Sequence, residues 1–154
     1  MIIMTEILNF NSPIADEAIS DFEKKVDLLL PDDYKEFLKT YNGGQPVPNA
    51  FRFYAERDDG SSVDWFLSLG KEKYSNLQKY YQNFKERIPA DFLPIAHDAG
   101  GNLIILANNE ENTGIYFWDH EYEADEGEVP TMDNVYFIAK SFSDFLKNLH
   151  ETEL

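Results

Sequence analysis

The stretch from residue 92 to residue 118, FLPIAHDAGGNLIILANNEENTGIYFW, decides the fold class. Three short apolar runs in it alternate with connectors that are rich in Gly, Asn and Asp. The runs are residues 92–96, 103–106 and 115–118. Such runs, bounded by turn-forming residues, predict β-strands. Another run, Val135–Ala139, follows after a long polar segment, so the last third of the chain is predicted to be mostly sheet.

Two helices are predicted near the N-terminus. Ser12 fits the N-cap of the first helix and Pro13 fits its first position, and an apolar stripe follows with a spacing of four. The stripe is Ile14, Ala18, Phe22 and Val26. Pro31 starts the second helix, and Asn42-Gly43-Gly44 ends it, because glycine accepts the left-handed conformation at a helix C-terminus. The apolar positions of the second helix are Tyr34, Phe37, Leu38 and Tyr41.

The middle of the chain is predicted to change to strand and back to helix. Residues 50–55 and 63–69 predict two aromatic-rich strands, with turn chemistry at residues 58–61 between them. Residues 71–88 predict a third, more polar helix. Its buried positions are Leu77, Tyr80, Tyr81, Phe84 and Ile88. Ser141 opens a final helix, and Asp144 stands three residues later as an approximate capping box. The core-facing residues of this helix are Phe142, Phe145, Leu146 and Leu149.

The order of these elements predicts the fold class. Helices come first, then strands, one middle helix, more strands and a C-terminal helix, without the regular strand–helix alternation of a parallel sheet. We therefore predict an α+β fold with a mostly antiparallel sheet. The 154 residues contain no repeat and no linker, so residues 1–154 are predicted to form a single domain.

The charge and composition exclude several function classes. The net charge of −16 repels nucleic acid and anionic membranes, and it attracts basic partners over long distances. There is no cysteine, so disulfides, thiolate metal sites and cysteine nucleophiles are excluded. Neither a signal peptide nor an apolar run of about 20 residues is recognisable, which predicts a cytoplasmic protein.

The most unusual feature is an acidic segment between the third and fourth strands of the last third. Residues 88–139 contain no Lys or Arg, and carboxylates crowd a connection of about fifteen residues within this range, a length that is often functional. The acids are Asp119, Glu121, Glu123, Asp125, Glu126, Glu128 and Asp133. Tyr122 stands among them, and Tyr116, Phe117 and Trp118 precede them on alternating faces of a strand. These strand aromatics either pack in the core or lie partly exposed as interface residues.

The sequence supports no catalytic, metal or cofactor site. An EF-hand that started at Asp119 would place Ala124 where the loop requires glycine and Pro130 where it requires a bidentate carboxylate, which excludes an EF-hand and leaves only weak, irregular cation binding as an alternative. His97-Asp98 fits a tight turn in which Asp98 accepts hydrogen bonds from local backbone ahead of Gly100-Gly101. No spacing supports a Ser–His–Asp triad. We therefore predict that the chain is not an enzyme and needs no cofactor.

Four patches of the sequence, in order, resemble the SUKH superfamily of Smi/Knr-type proteins. They are LPDDYKEFL at 30–38 closed by YNGG at 41–44, PIAHDAGGNL at 94–103, GIYFWDHE at 114–121 and AKSFSDFL at 139–146. The resemblance spans a core of about residues 13–150 and implies an α+β fold with a central twisted sheet. It also implies that the motif residues are mainly structural: the glycine pairs shape turns, and Trp118 packs in the core.

The resemblance further implies a binding function without catalysis. Bacterial members are mostly immunity proteins encoded beside polymorphic toxins, many of which are nucleases, and fungal relatives regulate the cell wall and signalling. Specificity in such a family is expected in variable surface. In this chain that surface is the first 12 residues and the acidic segment, where the resemblance is weakest.

The leading hypothesis is stoichiometric inhibition of a cognate toxin, a basic, nuclease-like protein whose phosphate-binding patch the acidic segment would occupy. The predicted partner contacts are Asp119, Glu121, Glu123, Asp125, Glu126 and Glu128, with Tyr122 as an anchor. A regulatory or scaffold module of the cell-wall regulator type is the alternative, and an enzyme acting on a small cationic substrate is a third, less favoured hypothesis. The absence of an obvious exposed apolar stripe favours a monomer.

Overall fold

The structure is a computed structural model that describes residues 5–53 and 59–151. The helices in these residues are Asp16–Val26 (α1), Asp32–Thr40 (α2), Leu77–Phe84 (α3) and Phe142–Lys147 (α4). The strands are Glu6–Leu8 (β1), Gln45–Val47 (β2), Ala50–Phe53 (β3), Asp59–Ser62 (β4), Trp65–Phe66 (β5), Phe92–His97 (β6), Leu103–Asn108 (β7), Thr113–Trp118 (β8) and Val135–Ala139 (β9). No helix in the described ranges is long and apolar enough to cross a membrane.

The main sheet has five strands in the order β5-β6-β7-β8-β9. Every neighbouring pair in it is antiparallel. Two smaller antiparallel pairs, β1–β2 and β3–β4, complete the strand content of the described residues. The predicted α+β fold with a mostly antiparallel sheet is therefore confirmed, as are the four strands predicted in the last third of the chain.

One face of the sheet supports the larger part of the core. Ile104 and Leu106 of β7 point to this face, as do Ile115 and Phe117 of β8, and they pack in one cluster with residues of α1, α2, α4 and β3. Phe37 of α2 illustrates the packing, because its ring centroid lies 4.9 Å from that of Phe66 and 5.0 Å from that of Phe142.

The other face of the sheet carries a second, smaller cluster. Leu103, Ile105 and Ala107 of β7 point to this face with Trp118 of β8, while Tyr80 and Phe84 of α3 pack against them. Both faces of β8 are thus covered, and the alternation of its aromatic residues separates two cores instead of exposing one side. Phe117 and Trp118 are buried and Tyr116 is half-buried, which favours the core interpretation of these strand residues.

The N-terminal helices differ from the prediction in one detail. Helix α1 begins at Asp16 after Ala15, and not at Pro13 after Ser12, and its side-chain stripe is Ile19, Phe22 and Val26. Ala18, which the spacing predicts as part of the apolar stripe, is exposed, and that part of the prediction is wrong. Helix α2 begins at Asp32 after Pro31, as predicted. The residues after it, Asn42-Gly43-Gly44, adopt positive φ angles of 48°, 103° and 105°.

The middle of the chain contains the larger corrections. The turn predicted at residues 58–61 is wrong for residues 59–61, which lie in β4 and pair with β3, while residue 58 lies outside the described residues. Glycine is required at position 60 because a Cβ atom there would overlap the Phe51 carbonyl oxygen. The strand predicted at 50–55 is observed as β3 at Ala50–Phe53, and residues 54 and 55 lie outside the described ranges. The strand predicted at 63–69 is regular only at Trp65–Phe66.

The third helix is shorter than the predicted range of 71–88. It starts at Leu77, because the side chain of Asn76 caps it by accepting a hydrogen bond from the Lys79 N–H at 3.0 Å. The Asn76 Nδ2 atom also donates to the carbonyl oxygens of Gly70 and Glu72, which holds the preceding residues in a turn. The final helix begins as predicted, with the Ser141 hydroxyl accepting from the Asp144 N–H at 3.1 Å.

Candidate partner-binding surface

The acidic segment is the connection between β8 and β9, residues 119–134, and we call it the acidic loop. Asp119 begins a short 3₁₀ helix, His120–Tyr122, and its Oδ1 atom accepts a hydrogen bond from the Glu121 N–H at 3.0 Å. The two ends of the loop are joined, since Asp119 N donates to the Asn134 carbonyl at 3.0 Å and Asn134 Nδ2 donates to the Asp119 carbonyl at 2.9 Å. The loop therefore leaves the sheet from a closed, hydrogen-bonded base.

The connector between β6 and β7 supports this base. His120 N donates to the Asn102 Oδ1 atom at 3.0 Å, and the His120 Nε2 atom lies 2.8 Å from the Gly100 carbonyl oxygen. Because a carbonyl oxygen only accepts, the hydrogen of the neutral ring belongs on Nε2. A Cβ atom at Gly101 would lie 3.3 Å from the same Nε2 atom, so a small residue is needed where the histidine ring rests.

Asp98 organises the connector itself. Its carboxylate is buried and accepts hydrogen bonds from the N–H groups of Gly100 and Asn102 at 2.9 and 2.8 Å. Its second oxygen accepts from the Asn102 Nδ2 atom at 2.9 Å and from the Ser61 hydroxyl at 2.8 Å. The predicted structural turn at His97-Asp98 is confirmed, and through Asn102 it also positions the base of the acidic loop.

A second fastening point joins the loop to the chain after α3. The Arg87 Nε and Nη2 atoms donate to the two carboxylate oxygens of Glu123 at 3.0 and 2.7 Å. The hydrogen bond from Arg87 lowers the pKa of Glu123, and the same contact raises the pKa of Arg87. The Arg87 guanidinium also lies 4.5 Å from the Phe84 ring centroid and 5.8 Å from that of Trp118. Sequence analysis missed this pair because its members are 36 positions apart.

The structure divides the predicted contact residues into two groups. Asp119 and Glu123 are half-buried and serve internal contacts, as the helix cap and as the partner of Arg87. The others are exposed: Glu121, Tyr122, Asp125, Glu126 and Glu128. Tyr122 is 65% exposed, and Val129, which sequence analysis did not single out, is 83% exposed. Met132 is a further exposed apolar residue of the loop. In the sequence, Val129 and Met132 could have been recognised as exposed only from their position within an acidic segment.

A cleft of about 930 Å³ separates the acidic loop from α3 and the residues that follow it. Glu86 and Arg87 stand on one side, and the other side is formed by residues 123–130 of the loop. Most of its charged groups are carboxylates, so the cleft and the exposed loop form one continuous acidic surface. Such a surface favours basic side chains of a partner.

The structure also brings together Ser75, His97 and Asp64, which the sequence did not connect. The His97 Nδ1 atom lies 3.1 Å from the Asp98 carbonyl oxygen and so carries the hydrogen, which leaves Nε2, 3.0 Å from the Ser75 hydroxyl, to accept. The Asp64 carboxylate is 3.8 Å from Nδ1, too far for a hydrogen bond. A neighbouring hollow of about 270 Å³ is lined by neither Ser75 nor His97. We assign these contacts to the attachment of the segment before α3 to the sheet.

Two other kinds of site could bear on function, a metal site and exposed apolar surface outside the acidic loop. No group of three or more His, Asp or Glu side chains within residues 5–53 and 59–151 is arranged to hold a metal ion. Exposed apolar residues outside the acidic loop include Leu8, Phe10 and Val47, on or next to the β1–β2 pair. The monomeric state stays a prediction.

Comparison with known proteins gives a consistent result. A profile of the SMI1 / KNR4 family (SUKH-1) matches residues 13–148, close to the predicted core of 13–150. The SPbeta prophage-derived uncharacterized protein YokK of Bacillus subtilis (strain 168) is 28% identical over 149 residues, which cover 86% of this chain and 73% of YokK. The uncharacterized protein YnaB of the same strain is 30% identical over 105 residues, which cover 68% of this chain and 58% of YnaB.

Proposed function

Because the chain belongs to the SMI1 / KNR4 family (SUKH-1), we propose that it is an immunity protein that binds and neutralises a cognate toxin domain without catalysis. The protein acts stoichiometrically in the cytoplasm, by covering the functional surface of the toxin. The partner is basic and nuclease-like, because an enzyme that acts on a polyanion must present Lys and Arg to phosphate groups.

One observation supports this proposal most strongly: the acidic loop presents carboxylates and apolar side chains together on a fastened base. Its exposed acids are Glu121, Asp125, Glu126, Glu128 and Asp133, and its exposed apolar residues are Tyr122, Val129 and Met132. Tyr is favoured as an interface anchor, whereas surrounding charges set the association rate. The segment 88–139 contains no Lys or Arg that would repel a basic partner.

The mechanism follows from this mixture of side chains. Long-range attraction to a chain of net charge −16 speeds the encounter with a basic toxin. Burial of Tyr122 and its apolar neighbours against the toxin then slows dissociation, since affinity differences between related complexes reside mostly in the off-rate. The carboxylates occupy the positions of phosphate groups, so the toxin cannot bind nucleic acid at the same time.

The first experiment is a pull-down of the tagged protein, expressed with its neighbouring genes, at about 50 mM and about 200 mM salt. We expect one stoichiometric basic partner, toxic when it is expressed alone, with weaker capture at the higher salt concentration. Capture of no partner would refute the proposal. Capture of housekeeping signalling proteins alone would replace it by the regulatory or scaffold function.

Charge variants with a matched control locate the contact. The loop variant Glu121→Gln, Asp125→Asn, Glu126→Gln, Glu128→Gln removes four exposed carboxylates and changes the net charge from −16 to −12. The control variant Glu17→Gln, Asp21→Asn, Glu110→Gln, Glu111→Gln makes the same change at exposed positions of α1 and of the β7–β8 turn. That turn lies at the opposite end of β8, about 20 Å away along the six-residue strand.

The two variants should affect binding unequally. At about 0.3–1 kcal/mol for each carboxylate at an interface rim, the loop variant should lose about 1–4 kcal/mol, or roughly 5- to 900-fold in affinity for the captured partner. The control variant should lose less than about 3-fold, through net charge alone. Isothermal titration calorimetry measures both. Equal losses would mean that the acidic loop is not the contact surface.

A further inference from the structure

Arg87 holds an unusual place relative to the acidic loop. It is the last Lys or Arg before a span of the chain, residues 88–139, that contains neither. Its guanidinium binds Glu123 through two parallel hydrogen bonds of 3.0 and 2.7 Å, the geometry that makes Arg–carboxylate pairs both strong and directional. The rings of Phe84 and Trp118 pack near the same guanidinium and restrict its movement.

Between Glu123 and the base at Asn134, the Arg87–Glu123 pair is the one hydrogen-bonded link from the loop to the chain after α3 among the described residues. The hydrogen bonds of residues 124–133 with the described part of the chain are all local. Glu128 N donates to the Asp125 carbonyl at 2.9 Å, Val135 N donates to the Met132 carbonyl at 3.1 Å, and Asp133 N donates to the Thr131 hydroxyl at 3.3 Å. The hydrogen-bonded base thus holds both ends of the loop, and the Arg87–Glu123 pair holds the side that lines the cleft next to the chain after α3.

We propose that Arg87 is a positioning residue, which orders the acidic loop against α3 before the partner arrives. This inference rests on the proposed function. Ordering a flexible loop during binding costs conformational entropy, and a loop that is already held loses less. Arg87 contributes to affinity in this way even though its own charge is repelled by a basic partner.

The direction in which Arg87→Met changes the affinity for the partner distinguishes a positioning role of Arg87 from a purely electrostatic one. Arg87→Met removes one positive charge and changes the net charge from −16 to −17. If only charge mattered, this variant would attract a basic partner more strongly. If Arg87 positions the loop, the variant binds the captured partner at least about 10-fold more weakly, in spite of its greater negative charge.

Lys85→Met is the matched control. It makes the same change in net charge only two positions earlier in the chain, and Lys85 is exposed and forms no salt bridge within the described residues. An octalysine peptide serves as a second probe, because it reports electrostatic attraction without a shaped surface. Both methionine variants should bind octalysine as well as, or better than, the unmodified protein, while only Arg87→Met should bind the partner more weakly. Restoring the pair in reverse, as Arg87→Glu with Glu123→Arg, keeps the net charge at −16 and should recover part of the affinity.

The order of the loop can be measured without any partner. Hydrogen exchange of the hydrogen-bonded Glu123 and Glu128 amides and cleavage by a glutamate-specific protease after Glu126 and Glu128 should both be faster by about 10-fold or more in Arg87→Met, and unchanged in Lys85→Met. Unchanged rates in Arg87→Met would overturn the fastening role. Faster rates combined with equal or tighter partner binding would overturn the positioning role. Failure to capture any basic partner would refute the proposed function and the binding role together, while the exchange rates would still decide the fastening role.

Discussion

Replacing Asp98 by Asn tests whether one buried carboxylate organises both the β6–β7 connector and the base of the acidic loop. Asp98 is 6% exposed, and its two oxygens accept four hydrogen bonds of 2.8–2.9 Å, from the Gly100 and Asn102 N–H groups, the Asn102 amide and the Ser61 hydroxyl. No cation among the described residues forms a salt bridge with it, so these donors alone compensate the burial of its charge.

The expected loss in the free energy of unfolding follows from the hydrogen bonds that an asparagine at position 98 can and cannot form. An asparagine at position 98 keeps both backbone hydrogen bonds through its amide oxygen, and the Ser61 hydroxyl can rotate to accept. The NH₂ group of the new asparagine, however, faces the NH₂ group of Asn102. The Asn102 amide cannot flip, because its Oδ1 atom accepts a hydrogen bond from His120 N. One charge-assisted hydrogen bond, about 1.5–3 kcal/mol, is lost, and donors are left unpaired at about 1–3 kcal/mol. We expect the free energy of unfolding to fall by about 3 kcal/mol and the Tm by roughly 6–12 °C.

Urea unfolding followed by tryptophan fluorescence measures the loss, and two further variants identify its cause. Ser61→Ala removes one charge-assisted hydrogen bond to the carboxylate and should cost about 1.5–3 kcal/mol. Asp98→Asn combined with Asn102→Asp exchanges the two groups, so that the new carboxylate accepts from the new amide and from His120 N. This double variant should be more stable than Asp98→Asn alone by about 1 kcal/mol or more. A loss below about 1 kcal/mol in Asp98→Asn, or a double variant less stable than either single one, would show that the Asp98 carboxylate does not organise the connector.

Two further predictions concern the core and the absence of catalysis. The buried Tyr34 hydroxyl has no hydrogen-bond partner in the described residues, and burial raises the pKa of Tyr34 above its usual value of 10.0. Above about pH 10 the unfolded chain therefore releases a proton that the folded chain retains, and stability falls by up to about 1.4 kcal/mol per pH unit. Tyr34→Phe should remove that part of the alkaline loss and should be neutral or stabilising by up to about 1 kcal/mol at pH 7, as measured by urea unfolding at pH 7 and pH 11. A fluorophosphonate probe should leave Ser75 unlabelled in intact-mass spectra, since the Asp64 carboxylate lies 3.8 Å from His97 Nδ1 and does not complete a triad; labelling that His97→Ala abolishes would contradict a non-catalytic protein.

The elements that sequence analysis predicted well are those whose signals are local. The strand Val135–Ala139 and the start of α2 follow from apolar runs and from proline, which act within a few residues. The start of α3 was wrong because residues 71–76 have a composition that a helix accepts, whereas Asn76 forms a cap and turn contacts that compete with it. Gly60 was interpreted as a turn residue because a close approach of β3 and β4 leaves no trace in the local sequence.

The candidate site was predictable in its charge and not in its geometry. The crowding of carboxylates and the absence of Lys and Arg from residues 88–139 are visible in the sequence. The pairing of Glu123 with Arg87 depends on how α3 crosses the sheet, which no local pattern encodes. For the same reason the sequence did not separate the acids that hold the loop, Asp119 and Glu123, from those that are free to contact a partner.

Under the proposed function, the contacts of the acidic loop allow one fold to present different binding surfaces. The patches that resemble the family, residues 94–103 and 114–121, contain Asp98, Asn102 and His120, which build the base of the loop. The second of these patches ends at Glu121, next to the exposed part of the loop. Substitutions at exposed loop positions usually change stability by less than about 0.5 kcal/mol, whereas changes in a buried hydrogen-bond network cost several times more. Under the proposed function, the tip can therefore change its partner without loss of the fold, provided that the connector and a contact such as Arg87–Glu123 keep it in place.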